Sequence, residues 1–134
     1  MLIEKVETNN GVIYGVDISN EETRKYLKSL GVDIISIVKT ELQRKLLRLQ
    51  KERFQKVLEE SGYNSLGDIQ LYASQNDTEA KAILNWYLAY DDGIWNWIDN
   101  TLPNYQTLDE LLNLDLKAIE EDIFNQSVQK ASLP

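Results

Sequence analysis

Two absences narrow the chemistry open to this chain, because none of its 134 residues is a histidine or a cysteine. Disulfides, zinc sites of the usual kinds, and nucleophile pairs built on His or Cys are excluded with them. Carboxylates, amines, phenols and aromatic surface remain. Adjacent acids occur at Glu21-Glu22, Glu59-Glu60, Asp91-Asp92 and Glu120-Glu121-Asp122. Neighbours on a helix point about 100° apart and cannot converge on one substrate unaided, so these acids read as solvated or helix-capping groups. Asp91-Asp92-Gly93 opens like a calcium loop, but Gly93 and Trp95 occupy positions 3 and 5, where oxygen ligands are required. No metal, no cofactor and no catalytic residue is expected, and the chain is read as a non-enzyme.

Two other groupings carry information. Lys39, Arg44, Lys45, Arg48, Lys51, Arg53 and Lys56 form a basic stretch, most of it opposite a leucine face. Glu41 stands four residues before Lys45 and Glu52 four before Lys56, a self-pairing pattern, and no aromatic or Asn/Gln set accompanies the stretch for base contact. With a net charge of −8 over the chain, the stretch reads as a solvated helix face, and no nucleic-acid partner is expected.

The aromatic run from Trp86 to Ile98 is the second grouping. Ile83, Leu84, Tyr87, Ile94, Trp95 and Ile98 are assigned to one side of a helix and Trp86, Tyr90 and Trp97 to another. Packing on both sides is one reading. A protein-binding surface at Trp86, Tyr90 and Trp97 is the other, since Trp and Tyr favour interface hot spots.

Local signals place these groups on elements. Asn9-Asn10-Gly11 between β-leaning runs predicts a hairpin with strands near 2–8 and 12–17. Ser19 with Glu22 predicts a capping box for a helix near 20–30, ended by Gly31. Residues 32–38 are β-branched and fit either a third strand or the first turns of the next helix. Thr40 with Gln43 predicts the cap of a long helix carrying Leu42, Leu46, Leu47, Leu49, Phe54, Val57 and Leu58 on one half and closing at Gly62. Ser65 caps a short helix, Asn76 or Asp77 a longer one, and Thr107 with Glu110 a last helix from Leu108 to about Phe124.

The expected fold is therefore mostly α (α+β): an N-terminal β-hairpin and short helix over residues 1–38, a bundle of about four helices over 39–124, and a flexible tail over 125–134. Charge is uneven, with 11 basic and 8 acidic residues in 1–56 and 3 and 14 in 57–134. Acids within the first seven residues and the lack of a long apolar run predict neither an export signal nor a membrane anchor.

Residues 47–103 resemble a helical segment that recurs at the C-terminal ends of bacteriophage and prophage tail-associated proteins, of tail-fibre and tail-assembly type. The resemblance is carried by Ser61-Gly62-Tyr63, Ser65-Leu66, Tyr72-Ala73-Ser74, Glu79-Ala80, the spaced Trp86 and Trp95, and Leu102-Pro103. It departs at Tyr87, where such segments often carry a basic residue, and it does not extend to residues 1–38. It implies a structural or chaperone-like assembly protein that acts through protein contacts with other tail components or itself. Neither membrane nor small-molecule substrate is implied, and the location would be the host cytoplasm during assembly or the virion. A different class of function is a small acidic phage inhibitor that occludes a host defence protein by charge mimicry, suggested by the acidic second half.

Overall fold

The computed structural model describes all of residues 1–134. The chain is mostly helical with a small β part: β1 (Leu2–Thr8), β2 (Gly11–Asp17), α1 (Glu21–Ser29), α2 (Ile34–Ser61), α3 (Leu66–Ser74), α4 (Thr78–Asn96), α5 (Leu108–Leu112) and α6 (Leu116–Lys130). A π-helical turn, Trp97–Thr101, continues α4, and a 3₁₀ turn, Leu102–Asn104, follows it. Two compact units result, one from Met1–Arg44 and Leu102–Leu114, the other from Lys45–Thr101 and Asp115–Pro134.

In the first unit β1 and β2 pair antiparallel, with Ile3 opposite Val16 and Val6 opposite Ile13. The turn residues are Asn9 and Asn10, since Thr8 pairs with Gly11. Gly11 makes the left-handed step at φ 125°, a conformation open mainly to glycine. Thr8 Oγ1 donates to the Gly11 carbonyl at 2.9 Å and closes the turn.

Caps decide the helix boundaries, and several differ from expectation. Ser19 donates its hydroxyl to Asp17 at 2.6 Å, and the neighbouring Asn20 caps α1 by accepting from the Glu22 and Thr23 amides. Asp33 accepts from the Ser36 amide and hydroxyl, which starts α2 well before Thr40 and turns the β-branched stretch into helix. The result is a 28-residue helix about 42 Å long.

Two further differences fall near the C-terminus. The Thr107 capping box forms as expected but opens a helix of only five residues. Asp115 then accepts from the Ala118 amide and starts a separate helix, α6. Residues 125–130, expected to be flexible, belong to α6, and the Ser127 side chain is buried.

The core of the second unit gathers Leu46, Val57 and Leu58 of α2, Ile69 and Ala73 of α3, Ala80, Ile83, Trp86, Tyr90 and Ile94 of α4, and Ile123 of α6. Of the leucine-face residues Leu42, Leu46, Leu49 and Val57, expected to pack against α4, Leu46 and Val57 join its core, whereas Leu42 belongs to the first unit and Leu49 is not part of the cluster. Gly93 explains how closely α4 and α6 approach: a Cβ there would lie 2.9 Å from Ile123 Cγ2. A mid-helix glycine costs about 1 kcal/mol relative to alanine, so close packing is its compensation.

Gly93→Ala is therefore expected to destabilise the protein by about 1–3 kcal/mol in urea unfolding, against the gain that helix propensity alone gives. Combined with Ile123→Ala, which removes the obstructing methyl, its cost should fall well below the sum of the single changes. Additive costs would show that the two residues do not meet.

Candidate functional site

The aromatic segment is set in place by α4. Asp77 caps this helix by accepting from the Ala80 amide at 2.9 Å, and the Tyr63 hydroxyl donates to the same carboxylate oxygen at 2.9 Å. Both bonds favour the ionised form, and the Asp77 carboxyl is held below the usual range, chiefly by the Ala80 amide.

Trp86 and Tyr90, expected on a partner-binding face, are instead the centre of the core, each with 0% exposure. Helix geometry explains the correction: at about 100° per residue, Trp86, Tyr90 and Trp97 fall within about 60° of Ile83, on the same stripe and not a second one. The Trp86 and Tyr90 rings stack at 5.2 Å, and Phe124 of α6 meets both edge-on at 6.0 and 6.1 Å. Each such pair contributes about 0.5–1.5 kcal/mol beyond burial. The Trp86 indole N–H donates to Ser127 Oγ at 3.0 Å, which satisfies the one polar atom that burial would otherwise strand.

Trp97 alone of the three reaches the surface. It is half-buried on the π-helical turn and lines a cleft of about 440 Å³ between α4 and α6. Asp92, Asn96, Asp122, Gln126 and Lys130 also line this cleft.

The outward apolar residues of α4 are Leu88 and Trp95, with Leu84 beside them at the edge of the core. They lie about 100–140° from Ile83, on one stripe. Leu88 is 57% exposed and Trp95 39%, while Leu84 is half-buried. Leu84 packs against the core, on the side the sequence assigned to it, whereas Trp95, assigned to the same side, is exposed.

The basic stretch of α2 is divided among protein partners. Arg53 grips Glu120 through two bonds, Nε to Oε1 at 2.7 Å and Nη2 to Oε2 at 3.0 Å, and its guanidinium lies 4.2 Å from the Phe124 ring centre. Glu41, expected beside Lys45, instead accepts from Arg44, which also reaches Glu4 at 3.1 Å. The Tyr90 hydroxyl is buried beside the Arg53–Glu120 pair without a hydrogen bond of ordinary geometry.

Asp91 and Asp92 sit within α4 and not in a loop, and Asp91 accepts from the Gln50 amide at 2.7 Å. No helix is long and apolar enough to cross a membrane. Comparison of the chain with protein-family models, with characterised proteins and with solved structures finds no match.

Arg53→Met should cost about 3–5 kcal/mol, because it leaves the Glu120 carboxylate buried and unpaired. Arg53→Met with Glu120→Leu should recover most of that loss in the same urea assay, and a double variant as unstable as the single one contradicts this pairing. The phenols give a pH signature. Burial first, then the Asp77 hydrogen bond, pushes Tyr63 up to about 12, and burial raises Tyr90 further. The fold favours the neutral phenols, so their contribution is complete below the ordinary tyrosine pKa and is lost as pH rises through the raised values. Burial also raises Tyr87, so in an alkaline absorbance titration Tyr63, Tyr87 and Tyr90 should ionise late and together with loss of helix, and Tyr63→Phe should remove one of the late steps.

Proposed function

We propose that this chain is a phage or prophage tail-associated protein, structural or chaperone-like, that works by binding other tail proteins and catalyses nothing. The observation that carries the reading is the outward stripe of α4: Leu88 and Trp95 stand in solvent on a helix whose opposite face already fills the core. Large exposed apolar side chains aligned on one element mark a contact surface. The resemblance of residues 47–103 to tail-associated segments supplies the kind of partner, and that stretch includes α3, α4 and most of α2.

The net charge of −8 supports a different protein over a second copy as the occupant, since two such chains repel. Action would take place in the host cytoplasm during assembly or in the virion.

Co-expression with the neighbouring tail genes should yield a stable complex. Trp95→Ala should weaken it by at least about 2 kcal/mol, the scale of a hot spot, while the melting temperature of the free protein holds. Retention of the complex by both Trp95→Ala and Leu88→Ala rejects this stripe as the docking surface. Recovery of a host defence protein in place of a tail protein transfers the function to the acidic-inhibitor class.

A further inference from the structure

We infer that Asn10, at the tip of the β1–β2 hairpin, is a site of spontaneous covalent modification: it deamidates through a cyclic imide, at a rate held back by Thr8. This is independent of the tail-protein reading. Of the asparagines in the chain only Asn10 precedes a glycine. Asparagine is among the thermally labile residues. Its lability depends on the backbone nitrogen that follows, which a side chain shields and glycine leaves open.

Every participant is accessible. Asn9, Asn10 and Gly11 are exposed. The Asn10 carboxamide makes no hydrogen bond, and a Cβ at Gly11 would meet no atom within 4 Å. Elsewhere asparagine side chains are engaged: Asn20 caps α1, Asn76 accepts from Lys81, and Asn96 accepts from Asn100. Asp92-Gly93 could close the same ring, but it lies within α4, where the helix fixes the backbone and Gly93 is pressed against Ile123.

The step is an intramolecular substitution. The Gly11 nitrogen, having lost its proton to base, bonds to Asn10 Cγ; the bond from Cγ to the side-chain nitrogen breaks, and that nitrogen takes up a proton and leaves as ammonia. Water then opens the imide at one of its two carbonyls, giving aspartate or isoaspartate, and nothing is oxidised or reduced. Either product adds a carboxylate to the hairpin tip. Isoaspartate also makes the backbone one carbon longer in a turn whose ends, Thr8 and Gly11, are paired. Thr8 Oγ1 accepts from the Asn10 amide at 3.1 Å and donates to the Gly11 carbonyl at 2.9 Å. These bonds hold the peptide units on both sides of the reacting one, so ring closure, which turns the Asn10 backbone, must break or stretch them.

Ageing of the full chain at mildly alkaline pH, followed by tryptic mapping in a mass spectrometer, tests the inference. The peptide between Lys5 and Lys25 should gain one mass unit at Asn10 before any other asparagine changes, and should separate into aspartyl and isoaspartyl forms. In ¹⁸O-labelled water it should take up one heavy oxygen. The rate should rise with pH, because the attacking nitrogen must lose its proton, and Asn10→Gln should abolish the change over the same interval. Thr8→Val should hasten it about tenfold, the combined net value of two such bonds, with the Ile3–Val16 cross-strand contact still present by NMR. Thr8→Ser, which keeps the hydroxyl, should not. Modification that begins at another asparagine, or a peptide that deamidates when excised but not within the folded chain, overturns the site. An unchanged or slower rate in Thr8→Val overturns the restraint by Thr8.

Discussion

The crossing of α4 and α6 is the constraint on which the second unit depends. Phe124 closes over the stacked Trp86 and Tyr90 rings, the Trp86 indole is bonded to Ser127, and Gly93 lets the Ile123 methyl reach the α4 backbone. These contacts fix α6 along α4 at three successive levels. Arg53 then ties α2 to the same helix through Glu120 and Phe124. Moving α6 by even one residue would strand the indole N–H, the buried carboxylate and the guanidinium together, and each costs far more unpaired than it contributes paired.

The same crossing divides the labour of α4. Its inner stripe is consumed by the core, so the largest aromatic residues are unavailable to a partner. Its outer stripe has no such role, and Leu88 and Trp95 are left in water. The cleft opens on a third side, where the π-helical turn carries Trp97 toward α6.

Much of the fold was legible in the residues, and the failures have specific causes. The hairpin, the Ser65 and Asp77 caps and the Thr107 capping box follow from short-range hydrogen bonding that a few side chains decide. Local competition defeated other expectations. Asp17 took the Ser19 hydroxyl and left capping to Asn20, Asp33 outweighed a β-branched run, and Asp115 split one expected helix into two. The mostly α fold with its small β part was legible because it rests on periodicity, which no single cap changes.

The candidate site was legible in part. Trp86 and Tyr90 lie in the core and not on a second face, as 3.6-residue arithmetic, which puts them with Ile83 and Ile94, already implies. Pairing of Arg53 with Glu120 spans 67 positions and leaves no local trace, so a core ion pair read as part of a solvated strip. The central claim is that α4 buries Trp86 and Tyr90 in the core and leaves Trp95 exposed. Hydrogen exchange of the three indole N–H groups in the free protein measures this directly. Trp86 should exchange slowest by orders of magnitude, as a buried and bonded donor, and Trp95, exposed and unbonded, much faster. A rapidly exchanging Trp86, or a Trp95 protected without any partner, would contradict the account.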